Sequence, residues 1–147
     1  MSAPEIDLPN YVNLPAESAL DDLLTAPDYA KLAALLNALR TEQLVVDVTG
    51  GTNSKRKGTR TRTLRTAKGQ LVLPIFTSMN ELRKAVVKGE AKGAIMPAQE
   101  ALALIRTQPF VAIELNPGSA KQVILRKFVE LVLGGEEITA SKLEAGV

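Results

Sequence analysis

The sequence predicts a mixed α/β (α+β) fold, a single domain whose one β-sheet combines an antiparallel hairpin with βαβ-type strands and is flanked by helices. Three observations carry this. The chain has 147 residues, the length of one ordinary domain, enough to bury roughly two-thirds of the surface its unfolded form exposes. Apolar residues make up 46% and aromatic residues 3%, so the core has to be built from Leu, Val, Ile and Ala. From residue 71 onward strand-like and helix-like runs alternate, the rhythm of βαβ units.

Taken in order, residues 1–14 carry Pro4, Pro9, Asn10 and Asn13 ahead of Pro15 and are read as an extended arm. Its Ile6, Leu8, Tyr11, Val12 and Leu14 suit a segment lying along the domain or along a neighbouring subunit. The domain proper is set at 15–134. Leucines at 20, 23 and 24 predict a helix over 17–26, and Pro27-Asp28 stops it and caps the next, over 29–39, where Tyr29, Leu32, Leu35, Leu36 and Leu39 form one stripe. The Val-rich 42–49 is a strand ended by Gly50-Gly51. A basic loop follows, and then a Thr/Arg run over 59–66, suited to a charged sheet edge, that forms a hairpin with 70–76. Pro74 has no N–H for a ladder, so one position of that strand is expected to lack a partner. Helix 79–88, strand 93–96, helix 98–106, strand 110–115 and helix 120–133 complete the domain. Residues 135–147 form a short tail with a helical turn.

The chain contains neither cysteine nor histidine. A thiolate nucleophile, a disulfide, a Cys/His zinc site, a Ser-His-Asp triad and a histidine proton shuttle are thereby excluded from this chain alone. No Ser-x-x-Lys motif and no acidic cluster with metal-ligand spacing replaces them, and Asp21-Asp22 and Glu136-Glu137 are adjacent pairs whose side chains diverge on a helix. The expectation is no enzyme activity, no catalytic residue, no metal and no cofactor. With no basic-then-apolar leader and no run of ~20 apolar residues, the chain is read as soluble and cytoplasmic, with no membrane partner.

Two segments look specific. Leu71-Val72-Leu73-Pro74-Ile75-Phe76-Thr77-Ser78 ends one strand, and Leu115-Asn116-Pro117-Gly118-Ser119 ends another some forty residues later, with Gly93-Ala94-Ile95-Met96-Pro97 between them. Over residues 18–133 this pattern resembles the SseB protein N-terminal-domain family, in the single-domain form similar to actinobacterial members. The resemblance implies a bacterial α/β module with no established activity, cofactor or catalytic residue, and longer relatives add a second domain. The residues also have a plainer reading. Ser78-x-x-Glu81 and Ser119-x-x-Gln122 have the form of capping boxes, and Pro97 suits the first position of the middle helix.

If strands 71–76, 93–96 and 110–115 run parallel, three helix N-termini gather at their carboxyl ends, where amides and dipoles favour an anion. Ser78, Asn116, Gly118 and Ser119 would line that edge and bind a small anion or metabolite. A second candidate is the basic patch Lys55, Arg56, Lys57, Arg60, Arg62 and Arg65. Seven bases and no acid fall within 55–68, against eight acids and two bases in residues 1–47, beneath a net charge of only +2. The Gly50–Thr59 loop lacks the spacing of a phosphate loop. The patch could neutralise nucleic-acid phosphates, but aromatic stacking partners and reader motifs are missing, so nucleic acid ranks below a solvated hairpin. The complementary charge blocks and the apolar arm favour a protein partner or a homodimer. The functional expectation is a non-catalytic interaction or regulatory module that self-associates, with anion sensing as the alternative.

Overall fold

The structure, a computed structural model, describes residues 5–6, 10–48, 62–86 and 91–145. It is a mixed sheet with helices on both faces. The described elements run β1 (Glu5–Ile6), α1 (Leu14–Thr25), α2 (Tyr29–Ala38), β2 (Gln43–Asp47), β3 (Leu64–Arg65), β4 (Leu71–Phe76), α3 (Met79–Ala85) and β5 (Gly93–Pro97). After these come α4 (Ala98–Ala103), a 3-10 turn (Leu104–Arg106), β6 (Ala112–Leu115), β7 (Gln122–Leu125), α5 (Arg126–Gly134) and α6 (Ala140–Glu144). Strand order is β1-β5-β2-β4-β6-β7, with β3 paired to β4.

β4 lies parallel to β6 and antiparallel to β2, which is itself antiparallel to β5, so β4, β5 and β6 all point one way. The two crossovers travel in opposite directions, β4 to β5 one way through the sheet and β5 to β6 back. Crossovers of one hand must then lie on opposite faces. α3 indeed covers one face and α4 the other. On the larger face Leu44, Val46, Leu73, Ile75, Ile113 and Leu115 meet α1, α2, α4, α5 and α6 in one core. On the other, Val45, Phe76 and Ile95 meet Met79 and Leu82 of α3 in a second, smaller core. The alternation of faces along each strand produces this split.

Local chemistry explains the element ends. Asp28 accepts from Lys31 N at 2.7 Å and opens α2, as expected from Pro27-Asp28. α1 starts at Leu14 rather than residue 17, because buried Asn13 caps it by accepting from Ala16 N (3.1 Å) and Pro15 suits its first turn. The inner part of the arm is pinned: Asn13 N donates to Thr77 O (2.7 Å), Met79 N donates to Tyr11 O (3.1 Å), and β1 pairs with β5 of the same chain. The hairpin is present, turning at Gly69 with φ +82, although only Leu64–Arg65 of the expected strand 59–66 is strand among the described residues. Pro74 behaves as its missing N–H requires. Leu71 O and Ile75 O accept from Val111 and Asn116, so odd positions face β6, and Pro74 faces the gap between β3, paired at 71–72, and β2, paired at 75–76.

One element is corrected. The helix expected over 120–133 is a strand and a shorter helix. Asn116 and Lys121 both take φ +52, the chain reverses, and Gln122–Leu125 returns antiparallel to β6 as β7 before α5 begins at Arg126. Ser119 therefore caps no helix, and two helix starts, not three, follow the parallel strands. The helix expected over 79–88 ends at Ala85, with Val86 extended. The helical turn in the tail is α6, and Ile138 and Leu143 enter the main core beside α2, where Asn37 Nδ2 donates to Ile138 O at 2.8 Å. Arg40 donates to the carbonyls of Leu131 and Val132 (2.9 and 3.0 Å), closing the last turn of α5.

Candidate interaction surface

The carboxyl ends of β4 and β6 bring the two specific-looking segments together. Thr77 N donates to Asn116 Oδ1 at 3.0 Å and Asn116 Nδ2 donates to Thr77 Oγ1 at 3.0 Å, with both residues buried. Ser78 Oγ accepts from Glu81 N (3.0 Å), the hydroxyl half of a capping box. The Glu81 carboxylate does not reach back. It accepts from Ser119 Oγ (2.6 Å) and from Lys84 Nζ (3.1 Å). Gly118 lies against α3, where a Cβ would come within 2.8 Å of the Lys84 carbonyl carbon. Ser78, Asn116, Gly118 and Ser119 are thus neighbours, joined through α3. An anion at this end would meet Glu81 and also Glu17, whose carboxylate accepts from Thr77 Oγ1 at 2.8 Å.

That junction, PIFTS against NPGS, is the place where the family pattern meets. The family model for the SseB protein N-terminal domain matches residues 17–130. The chain belongs to the SseB N-terminal domain family. No curated protein and no solved structure matches it. In this SseB domain the matched span stops short of Ile138 and Leu143, which nevertheless complete its core.

Of the basic patch, Lys55, Arg56, Lys57 and Arg60 lie outside the described residues. Arg65 is spent on its own turn, donating from Nη1 to Gly69 O (2.8 Å). Arg62 lines a cleft of about 590 Å³ together with Lys84, Gly118 and Lys121, over a floor of Pro74 and Phe76 and beside Asp47. The structure thereby joins one residue of each sequence-derived set, Arg62 and Gly118, which no sequence pattern connects.

The Arg106 guanidinium, bonded through Nε to both Glu130 oxygens (3.1 and 3.2 Å), holds that carboxyl below its usual range, and Glu130 in turn raises Arg106. The pair sits on the surface, where solvent and salt screen it and it contributes little to the fold. Tyr11 is shifted upward, by burial first, against a lowering hydrogen bond to the Gln43 backbone. No group of three potential metal ligands occurs among the described residues, and no described helix is long and apolar enough to cross a membrane.

The feature the sequence reading missed is the end of the sheet. β7 has β6 on one side and, among the described residues, no strand on the other. Val123 and Leu125 are 48% and 49% exposed, on the face away from the main core. On the opposite face Gln122 borders a groove lined by Leu24, Asp28, Tyr29 and Leu32, in which Leu24 is 45% and Tyr29 48% exposed. Four of the five large apolar side chains exposed among the described residues therefore flank one unpartnered strand. The sequence held a signal for it: Gln-Val-Ile-Leu, two β-branched residues after an Asn-Pro-Gly turn, reads as a strand as readily as a helix start.

Proposed function

We propose that this SseB domain is a non-catalytic interaction module that docks a polypeptide on the open edge of β7. One observation carries the reading, the collection of Leu24, Tyr29, Val123 and Leu125 around an edge strand with no charge and no proline of its own. Edges of that kind are templates for strand addition, and natural sheets usually blunt them with charge. The chain's lack of histidine and cysteine is in keeping with binding rather than catalysis. The test compares the wild-type chain with the double variant Val123→Lys/Leu125→Lys, both checked for folding by circular dichroism. The wild type is expected to be recovered in an assembly heavier than its 15.7 kDa chain, and the variant as the bare chain. Equal behaviour of the two would overturn the reading.

A second reading has its own observation, the cleft in which Arg62, Lys84 and Lys121 converge over Pro74 and Phe76. It would take a small anion carrying an apolar portion. Thermal shift with phosphate and carboxylate metabolites, lost in Lys121→Glu, tests it, and the absence of any shift sinks it.

A further inference from the structure

We infer that the occupant of the β7 edge is a second copy of this chain, paired antiparallel through β7 about a two-fold axis at Ile124. The inference rests on the docking reading above and adds the partner and the register. Arg126 N donates to Val111 O at 2.9 Å, which makes that pair a hydrogen-bonded one. In an antiparallel ladder such pairs alternate, so Ile124 with Ile113 and Gln122 with Leu115 are the next. Val123 and Leu125 consequently turn their N–H and C=O groups outward, away from β6. The side chain of Gln122 agrees with that direction, since its Nε2 caps the Val123 carbonyl at 3.0 Å.

A two-fold axis normal to the sheet preserves faces, so residues that stand opposite each other must come from the same face. With the axis at Ile124, Val123 of each copy stands opposite Leu125 of the other. All four outward N–H groups then meet all four outward carbonyls, the backbone donor taking the place of the Gln122 amide at each Val123 carbonyl. Centring the axis on Val123 or on Leu125 halves that number. The Ile124 register also joins the two exposed Val123 and Leu125 stripes into one apolar patch of four side chains. On the other face it sets Gln122, and with it the groove holding Asp28, on the same side of the seam as Arg126 of the second copy, so an acidic and a basic residue come together there beside their own partners, Lys31 for Asp28 and Glu130 for Arg126. The like charges Lys121 and Lys127 fall outside the paired span 122–126, where the chain turns at one end and becomes helix at the other.

A chain without cysteine makes the test clean. Val123→Cys and Leu125→Cys, one of them carrying a mass tag, are oxidised separately and mixed. Hydrogen-bonded antiparallel partners have Cα atoms about 5.5 Å apart, within disulfide reach. The mixed dimer, linking position 123 of one variant to position 125 of the other, should therefore exceed either homodimer several-fold. The wild-type chain alone should weigh twice 15.7 kDa by light scattering, at low and high salt alike, since backbone pairing and apolar contact dominate the interface. A monomer at every concentration, or equal cross-linking of all three samples, overturns the inference. If the wild type is monomeric and yet Val123→Lys/Leu125→Lys still abolishes capture of a different polypeptide, self-pairing falls and edge docking stands. If the double variant changes neither mass nor capture, both fall.

Discussion

Thr77 and Asn116 bind each other twice across the ends of two parallel strands, the Asn116 amide receiving from the Thr77 backbone at 3.0 Å and donating to its hydroxyl at 3.0 Å. The contact is buried, and Asn116 holds it from the left-handed region, at φ +52. Asparagine accepts that conformation far better than alanine does. Asn116→Ala should therefore cost about 2–4 kcal/mol, combining a stranded buried amide with backbone strain. Asn116→Gly, which removes the bonds but not the backbone freedom, should cost about 1–2 kcal/mol less. Urea unfolding of the two variants separates the terms.

Gly118 is exposed, yet a methyl group there would sit 2.8 Å from the Lys84 carbonyl carbon and 2.9 Å from Ala85 N. Backbone atoms of α3 cannot swing aside as a side chain would. Gly118→Ala is expected to cost about 1–3 kcal/mol. Gly134→Ala, with open space around the position, should be neutral or stabilising by up to about 1 kcal/mol. Thermal melts of the pair check the contrast.

Leu143 lies outside the matched family span but is 2% exposed in the main core. Leu143→Ala should cost about 2–4 kcal/mol, as a core truncation does anywhere. A loss below about 0.5 kcal/mol in denaturant unfolding would mean that α6 is not docked on α2.

Tyr11 donates to Gln43 O (2.6 Å) and accepts from Gln43 N (3.0 Å), and burial raises its ionisation above the ordinary phenol range, with the Glu42 charge adding to the rise. A folded-state value above the unfolded one means that the neutral phenol stabilises the fold. That contribution is complete below about pH 10, the unfolded value, and is lost as pH climbs through the folded one. In a Tyr29→Phe background, phenolate absorbance should rise only above about pH 10. Tyr11→Phe should lower stability at pH 7 by about 1 kcal/mol and shrink the alkaline loss.

Much of the fold was legible because its signals were local. The stripe from Tyr29 to Leu39, the cap at Asp28, the Val-rich strand and the Pro74 gap each follow from a few neighbouring residues. The junction of Ser78 with Asn116, Gly118 and Ser119 was legible as well, but as a place rather than a role. Its side chains hold α3 to the turn after β6. β7 was legible only as one of two competing readings, since Gln-Val-Ile-Leu suits a strand while Ser119-Ala120-Lys121-Gln122 carries a helix-start pattern that the two left-handed residues of the turn override. Neither the groove at Leu24 and Tyr29 nor its position beside β7 has any local signature, because it joins residues about a hundred positions apart.

The division of the interior into two cores sets a hierarchy of opening. Val45, Phe76, Met79, Leu82 and Ile95 form a small cluster sealed by α3 and by Tyr11, while the rest of the sheet is anchored by a far larger one. α3 and the segment around Tyr11 can therefore detach as one cooperative unit while the five-helix side stays closed. Amide exchange would show this as a shared, shallow protection for Met79–Ala85 and for Asn13, with Leu73, Ile113 and Leu36 exchanging only on global unfolding.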